Sequence, residues 1–130
     1  MHEPAPQLEH ERSVEEAGGV VVTVIAFTGD LDLAVVDDLT SALETGLDGG
    51  GDAVVDLTGV HFIDSAGIQV VVKAHDDARA AEHRLELVVA PGSNVDRVLG
   101  ITGLMEHLAP HASREAAMAA VAAGGGKGAV

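Results

Sequence analysis

Asp64-Ser65-Ala66-Gly67 sets a hydroxyl where a buried apolar stretch hands over to a helical repeat. A serine at such a junction has two uses. Its oxygen can cap the orphan N–H groups of the first helical turn. Those N–H groups and the partial positive charge of a helix start also tolerate an attached phosphate. Phosphorylation at such a point changes the surface and leaves the scaffold intact.

Other chemistries find less support in the residue spacing. A nucleophile elbow needs Gly-x-Ser-x-Gly, and residue 63 is Ile. His61, His75, His83 and His107 have no spacing that marks one of them as a base. His61, Asp64 and His75 match no metal-ligand pattern, so no metal site is expected. Gly49-Gly50-Gly51 lacks the lysine of a phosphate-binding loop and reads as a helix stop. With no cysteine there is neither a thiolate site nor a disulfide. The expectation is a non-enzymatic domain without a cofactor.

The elements that must position Ser65 are legible as alternating strands and helices. Residues 8–14 suggest an edge strand, and residues 15–19 a turn closed by two glycines. Residues 20–27 are apolar on both alternating faces, as in a strand covered on both sides. Gly29-Asp30-Leu31-Asp32 is expected to end that strand in a loop. Val36, Leu39, Leu43 and Leu47 then keep a helical period. Residues 53–57 form a second buried strand, and Ile68, Val71, Val72, His75 and Arg79 carry a helix to about residue 82. Residues 85–89 read as a third buried strand, after which Ser93-Asn94-Val95-Asp96 resembles a capping box opening a short helix. A last short strand is expected at 104–108, and Ser113 caps an Ala-rich helix to about 123. This order points to an α/β layer with a mostly parallel sheet.

Composition narrows the partners. The 130 residues suit one domain with one modest core. Aromatic residues make up 2% of the chain, with no Trp or Tyr, which is poor material for stacking nucleic-acid bases. A formal charge of −14 repels phosphate backbones and anionic membranes, so neither nucleic acid nor membrane is an expected partner. The longest apolar run, residues 20–27, is too short to cross a bilayer, and the N-terminal segment lacks the order of a signal peptide. A cytoplasmic location is therefore expected.

Five segments carry a family resemblance. Gly29-Asp30-Leu31-Asp32 resembles the glycine-acid-leucine-aspartate signature of the STAS family, the anti-sigma factor antagonists and their relatives. Val54-Val55-Asp56-Leu57-Thr58-Gly59-Val60 and Phe62-Ile63-Asp64-Ser65-Ala66-Gly67-Ile68 are similar to its central strand and phosphorylation loop. Arg97-Val98-Leu99 and Ile101-Thr102-Gly103-Leu104 resemble its third helix and the strand after it. The likeness spans about residues 20–122 in the family's order. It implies a single STAS-like domain, a parallel or mixed sheet of four to five strands with about four helices. The domain is placed at 8–123, between tails at 1–7 and 124–130.

The resemblance also implies a partner switch. The unmodified domain would bind an anti-sigma factor, a serine kinase with a GHKL-type ATPase fold, and so release a sigma factor. Phosphorylation of Ser65 would block that binding and a phosphatase would restore it. Asp30, Leu31, Asp32, Asp64, Ala66, Gly67, Ile68 and Gln69 would form the partner-binding surface. The alternative is a STAS adaptor that is never phosphorylated, in a sensory or lipid-transport complex. Ala66 stands where many members carry a second serine, Gln69 where a small residue is common, and Asp30 where Glu is common.

Overall fold

The computed structural model describes residues 8–48 and 51–125. The expected tail at 1–7 lies outside the described residues, as do Gly49 and Gly50 of the helix stop; of the tail expected at 124–130, only 126–130 lies outside, because α5 runs on to Gly125. The elements run β1 (Leu8–Ala17), β2 (Val20–Leu31), α1 (Val36–Gly46), β3 (Asp52–Ile63), α2 (Ser65–Ala80), β4 (Leu85–Val88), α3 (Asn94–Ile101), α4 (Met105–Leu108) and α5 (Arg114–Gly125). A 3₁₀ turn, Leu33–Val35, leads into α1. Among the described residues the sheet has four strands in the order β1-β2-β3-β4. β1 is antiparallel to β2, while β3 is parallel to both β2 and β4.

The β1–β2 hairpin closes on Gly18 and Gly19, with φ of +59° and +82°. Two successive positive φ angles are what a tight two-residue hairpin requires, and glycine adopts them without strain. Past the turn, β2 alternates between two cores. Val22 and Val24 join Val54, Val88, Ala117 and Val121 under α5. Ile25 and Phe27 face the opposite core, with Leu39 and Leu43 of α1, Ile68 and Val71 of α2, and Val95 and Leu99 of α3. Helices thus cover both faces, which explains the nearly unbroken apolar runs of the inner strands.

Several expected boundaries shift: β1 runs on to Ala17 through residues expected in a turn, and β3, expected at 53–57, runs to Ile63. β2 does not stop before Gly29; it continues to Leu31, paired with Ile63, through register shifts at Ala26/Thr28 and Gly29/Asp30. The irregular pairing accommodates Gly29 and the two acids without ending the strand. The strand expected at 104–108 is instead the single helical turn α4. Leu104 and Leu108 are four residues apart, a helical spacing, and Leu108 reaches the core. The pairing beside β4 falls to His111, which forms one parallel bridge with Val88.

α5 is tied to the sheet by a buried acid. Asp56 is only 6% exposed. One of its oxygens accepts from the Thr58 N–H at 2.9 Å and the Thr58 hydroxyl at 2.7 Å. The other accepts from Arg114 Nη2 at 2.7 Å and Nε at 3.1 Å. Burial pushes its pKa up, but the hydrogen bonds from Thr58 and Arg114 and the guanidinium charge outweigh that and hold it below the ordinary value.

Candidate functional site

The site is built where β2 and β3 end side by side. Leu31 and Ile63 are the last register pair, and the Asp64 N–H donates to the Leu31 carbonyl at 3.1 Å. Asp64 has extended backbone and is the N-cap of α2. Its Oδ1 accepts from the Gly67 N–H at 3.0 Å. Its Oδ2 accepts from the Leu33 N–H at 3.1 Å. One carboxylate therefore caps α2 and clamps the loop after β2. Asp32 does the matching work one loop earlier, accepting from the Ala34 N–H at 3.0 Å. From the other side, Asn94 at the start of α3 accepts from the Ile63 N–H at 2.9 Å.

The Ser65 side chain lies on the exposed surface at the first helical position of α2. The capping role open to Ser65 from sequence alone belongs to Asp64, because β3 runs one residue short of the serine. The Ser65 hydroxyl is left out of the cap, and among the described residues no hydrogen bond engages it. Gly67 explains how the helix can start this close to β2. A Cβ on Gly67 would collide with the Leu31 carbonyl oxygen, a backbone atom with little room to yield.

The expected binding residues divide into two groups. Asp30 and Gln69 are exposed, and Asp32, Asp64 and Ala66 are half-buried. Leu31 at 0% and Ile68 at 7% exposure are core residues, and Gly67 is buried with them. Of Ala66, Gly67 and Ile68, all expected in the partner-binding surface, only Ala66 reaches the surface. The exposed apolar groups near this end are Leu33, 73% exposed, and Phe62, 43% exposed. Sequence reading missed both. Leu33 falls between a strand and a helix, where no period marks its side, and Phe62 looks like a core strand residue.

His61, Asp64 and His75 are not brought together. Asp64 caps the start of α2 and His75 lies eleven residues further along it, about 16 Å at 1.5 Å per residue. A cleft of about 720 Å³ lies away from Ser65, between the second half of α2, β4 and α4. The arrangement around Ser65 is an exposed, hydroxyl-bearing helix start whose junction is held by bonds to Leu31, Leu33 and Asn94. It offers a modifiable contact surface.

A family model described as the STAS domain matches residues 11–117. Solved structures with the same fold include an anti-sigma factor antagonist from Mycobacterium paratuberculosis. It is 22% identical, with a TM-score of 0.73, over 87% of this chain and 94% of that one. The Bacillus cell fate determinant SpoIIAA in its phosphorylated form is 21% identical, with a TM-score of 0.57, over 83% of this chain and 96% of that one. The murine Slc26a9 anion transporter is 24% identical, with a TM-score of 0.56, over 71% of this chain but only 15% of the transporter. None of the curated protein sequences matches the chain.

Proposed function

Because this chain belongs to the STAS domain family, we propose that it is an anti-sigma factor antagonist whose binding is switched by phosphorylation of Ser65. The observation that carries this reading is the exposed hydroxyl, without a hydrogen bond among the described residues, at the first position of a helix whose cap is supplied by its neighbour. A phosphate there sits beside the N–H groups and positive end of α2, so the fold tolerates it. That a protein of this fold has been solved in a phosphorylated form supports the same reading.

The switch works locally. A phosphate adds about −1.5 to −2 charges, a small increment on a net charge of −14. Covering a doubly charged group without a matched cation costs several kcal/mol, while about 1.4 kcal/mol already weakens binding tenfold. Leu33 and Phe62 supply the apolar area that a partner covers next to the serine. The partner is an anti-sigma factor of the serine-kinase type, with a phosphatase for reversal, and the exchange takes place in the cytoplasm. The domain itself binds and does not catalyse.

The test combines capture and mass analysis. The chain is incubated with host-cell extract and ATP, the bound protein is identified, and the intact mass of the chain is measured. One added phosphoryl group on wild type, none on Ser65→Ala, is the expected result. Ser65→Ala should bind the captured partner constitutively, and Ser65→Asp at least about tenfold more weakly. Equal affinity of the two variants would instead support an unmodified adaptor in a sensory or lipid-transport assembly. That reading has some support from the likeness to part of a membrane transporter.

A further inference from the structure

His75 lies on the core-facing stripe of α2, in step with Ile68 and Val71, and is 6% exposed. It meets two groups that its spacing in sequence does not announce. His75 Nδ1 is 3.0 Å from Asp76 Oδ1. The same oxygen is 2.7 Å from Nε2 of His107, which α4 brings back from 31 residues further along the chain. The two imidazoles stand 5.2 Å apart, centre to centre, inclined by 59°. One donor atom from each of the three side chains lies within 4.8 Å of the other two.

We propose that His75, Asp76 and His107 form a binding site for one divalent transition-metal ion, with zinc the best-matched candidate. Two imidazole nitrogens and one carboxylate oxygen are a borderline donor set that suits zinc, cobalt or nickel; magnesium and calcium prefer all-oxygen shells. In a tetrahedral zinc site the donor atoms stand about 3.3 Å apart, from bonds of about 2.0–2.1 Å. The two contacts to Asp76 are already 2.7 and 3.0 Å, so small side-chain rotations admit the ion. Coordination replaces those two contacts, and each neutral imidazole then carries its proton on its other ring nitrogen. His107 and Asp76 are about half exposed, which leaves an entry path and room for water as a fourth ligand.

The surroundings favour a cation on balance. Glu106, Glu82 and Glu86 line the same cleft. Of the two arginines there, Arg84 is paired with Glu86 at 2.7 Å, and Arg79 is the remaining opposing charge. A bound ion would pin α4 to α2, the helix that begins with Ser65. The site is independent of the phosphorylation reading, since His75 and Asp76 sit in the far half of that helix and His107 on α4.

Equilibrium dialysis of the chelator-treated full chain against zinc tests the proposal. Cobalt is then substituted to read the ligand field by visible absorption. Wild type should bind one equivalent. His107→Ala and Asp76→Asn should each weaken that binding by about tenfold or more, while His61→Ala, at an exposed position near the end of β3, leaves it unchanged. Zinc should raise the thermal midpoint of wild type and His61→Ala but not of His107→Ala. Circular dichroism confirms that the variants fold. Absence of wild-type binding below about 1 mM zinc, or undiminished binding in His107→Ala and Asp76→Asn, overturns the proposal.

Discussion

Replacing Asp64 by Ala removes two contacts at once, and the structure apportions the cost. The first is the cap bond to the Gly67 N–H, 3.0 Å long. Loss of an N-cap costs about 1 kcal/mol. The second is the 3.1 Å bond to the Leu33 N–H, which is solvent-exposed and contributes about 0.5–1 kcal/mol. Asp64→Ala should therefore lower stability by about 1.5–2 kcal/mol, which at typical slopes moves the urea midpoint by about 1 M. Asp64→Asn keeps one oxygen, enough for Gly67, but turns an NH₂ group toward the Leu33 N–H, so it should cost roughly half as much. Asp64→Ser retains a short capping oxygen that cannot span to Leu33 and should also fall between wild type and Ala. Urea unfolding followed by circular dichroism measures all four proteins. If Ala and Asn both match wild type within about 0.3 kcal/mol, the carboxylate is not the clamp of this site. If Ser is as costly as Ala, the Gly67 bond is not a cap.

Packing and charge set three other outcomes. Gly67→Ala adds a good helix former, worth about 1 kcal/mol on propensity alone. The new Cβ would nevertheless run into the Leu31 carbonyl, so a net loss of about 1–3 kcal/mol is expected in urea unfolding; a stabilised variant would refute the close approach. The depressed pKa of Asp56 sets an acid dependence. Its contribution is complete above the unfolded value of 3.8 and is lost as pH falls through the lower folded value. As pH falls from about 4 through that lower value, wild type should thus lose more stability than Asp56→Asn, as read by urea unfolding at each pH. Arg114→Ala should cost about 1–2 kcal/mol at neutral pH in the same assay, discounted from a fully buried pair because the Arg114 side chain is 43% exposed.

Much of the fold is legible in the residue order. The nearly unbroken apolar runs of the inner strands announce burial on both faces, and spacings of three and four place α1, α2 and α3. Ser93 and Ser113 each cap the helix they precede, accepting from Asp96 N–H at 3.2 Å and Ala116 N–H at 3.1 Å. Asp96 departs from a standard capping box, because its carboxylate accepts from the Gly92 N–H and not from the cap residue. The short segment 104–108 misleads: five residues with apolar ends fit a strand as easily as one helical turn. Only Leu108 docking in the core resolves it.

The α/β order, the double burial of the central strands and the serine at a strand-to-helix junction were all readable from the chain before it folds. They rest on local periodicity, which is written in neighbouring residues. Packing added the rest: Asp64, not Ser65, caps α2; Leu31 and Ile68 lie in the core while Leu33 is exposed; His107 returns to Asp76. The bonds Leu33–Asp64, Ile63–Asn94 and Asp76–His107 each join residues 31 apart. Contacts at that separation depend on how whole elements pack, and no local pattern encodes them.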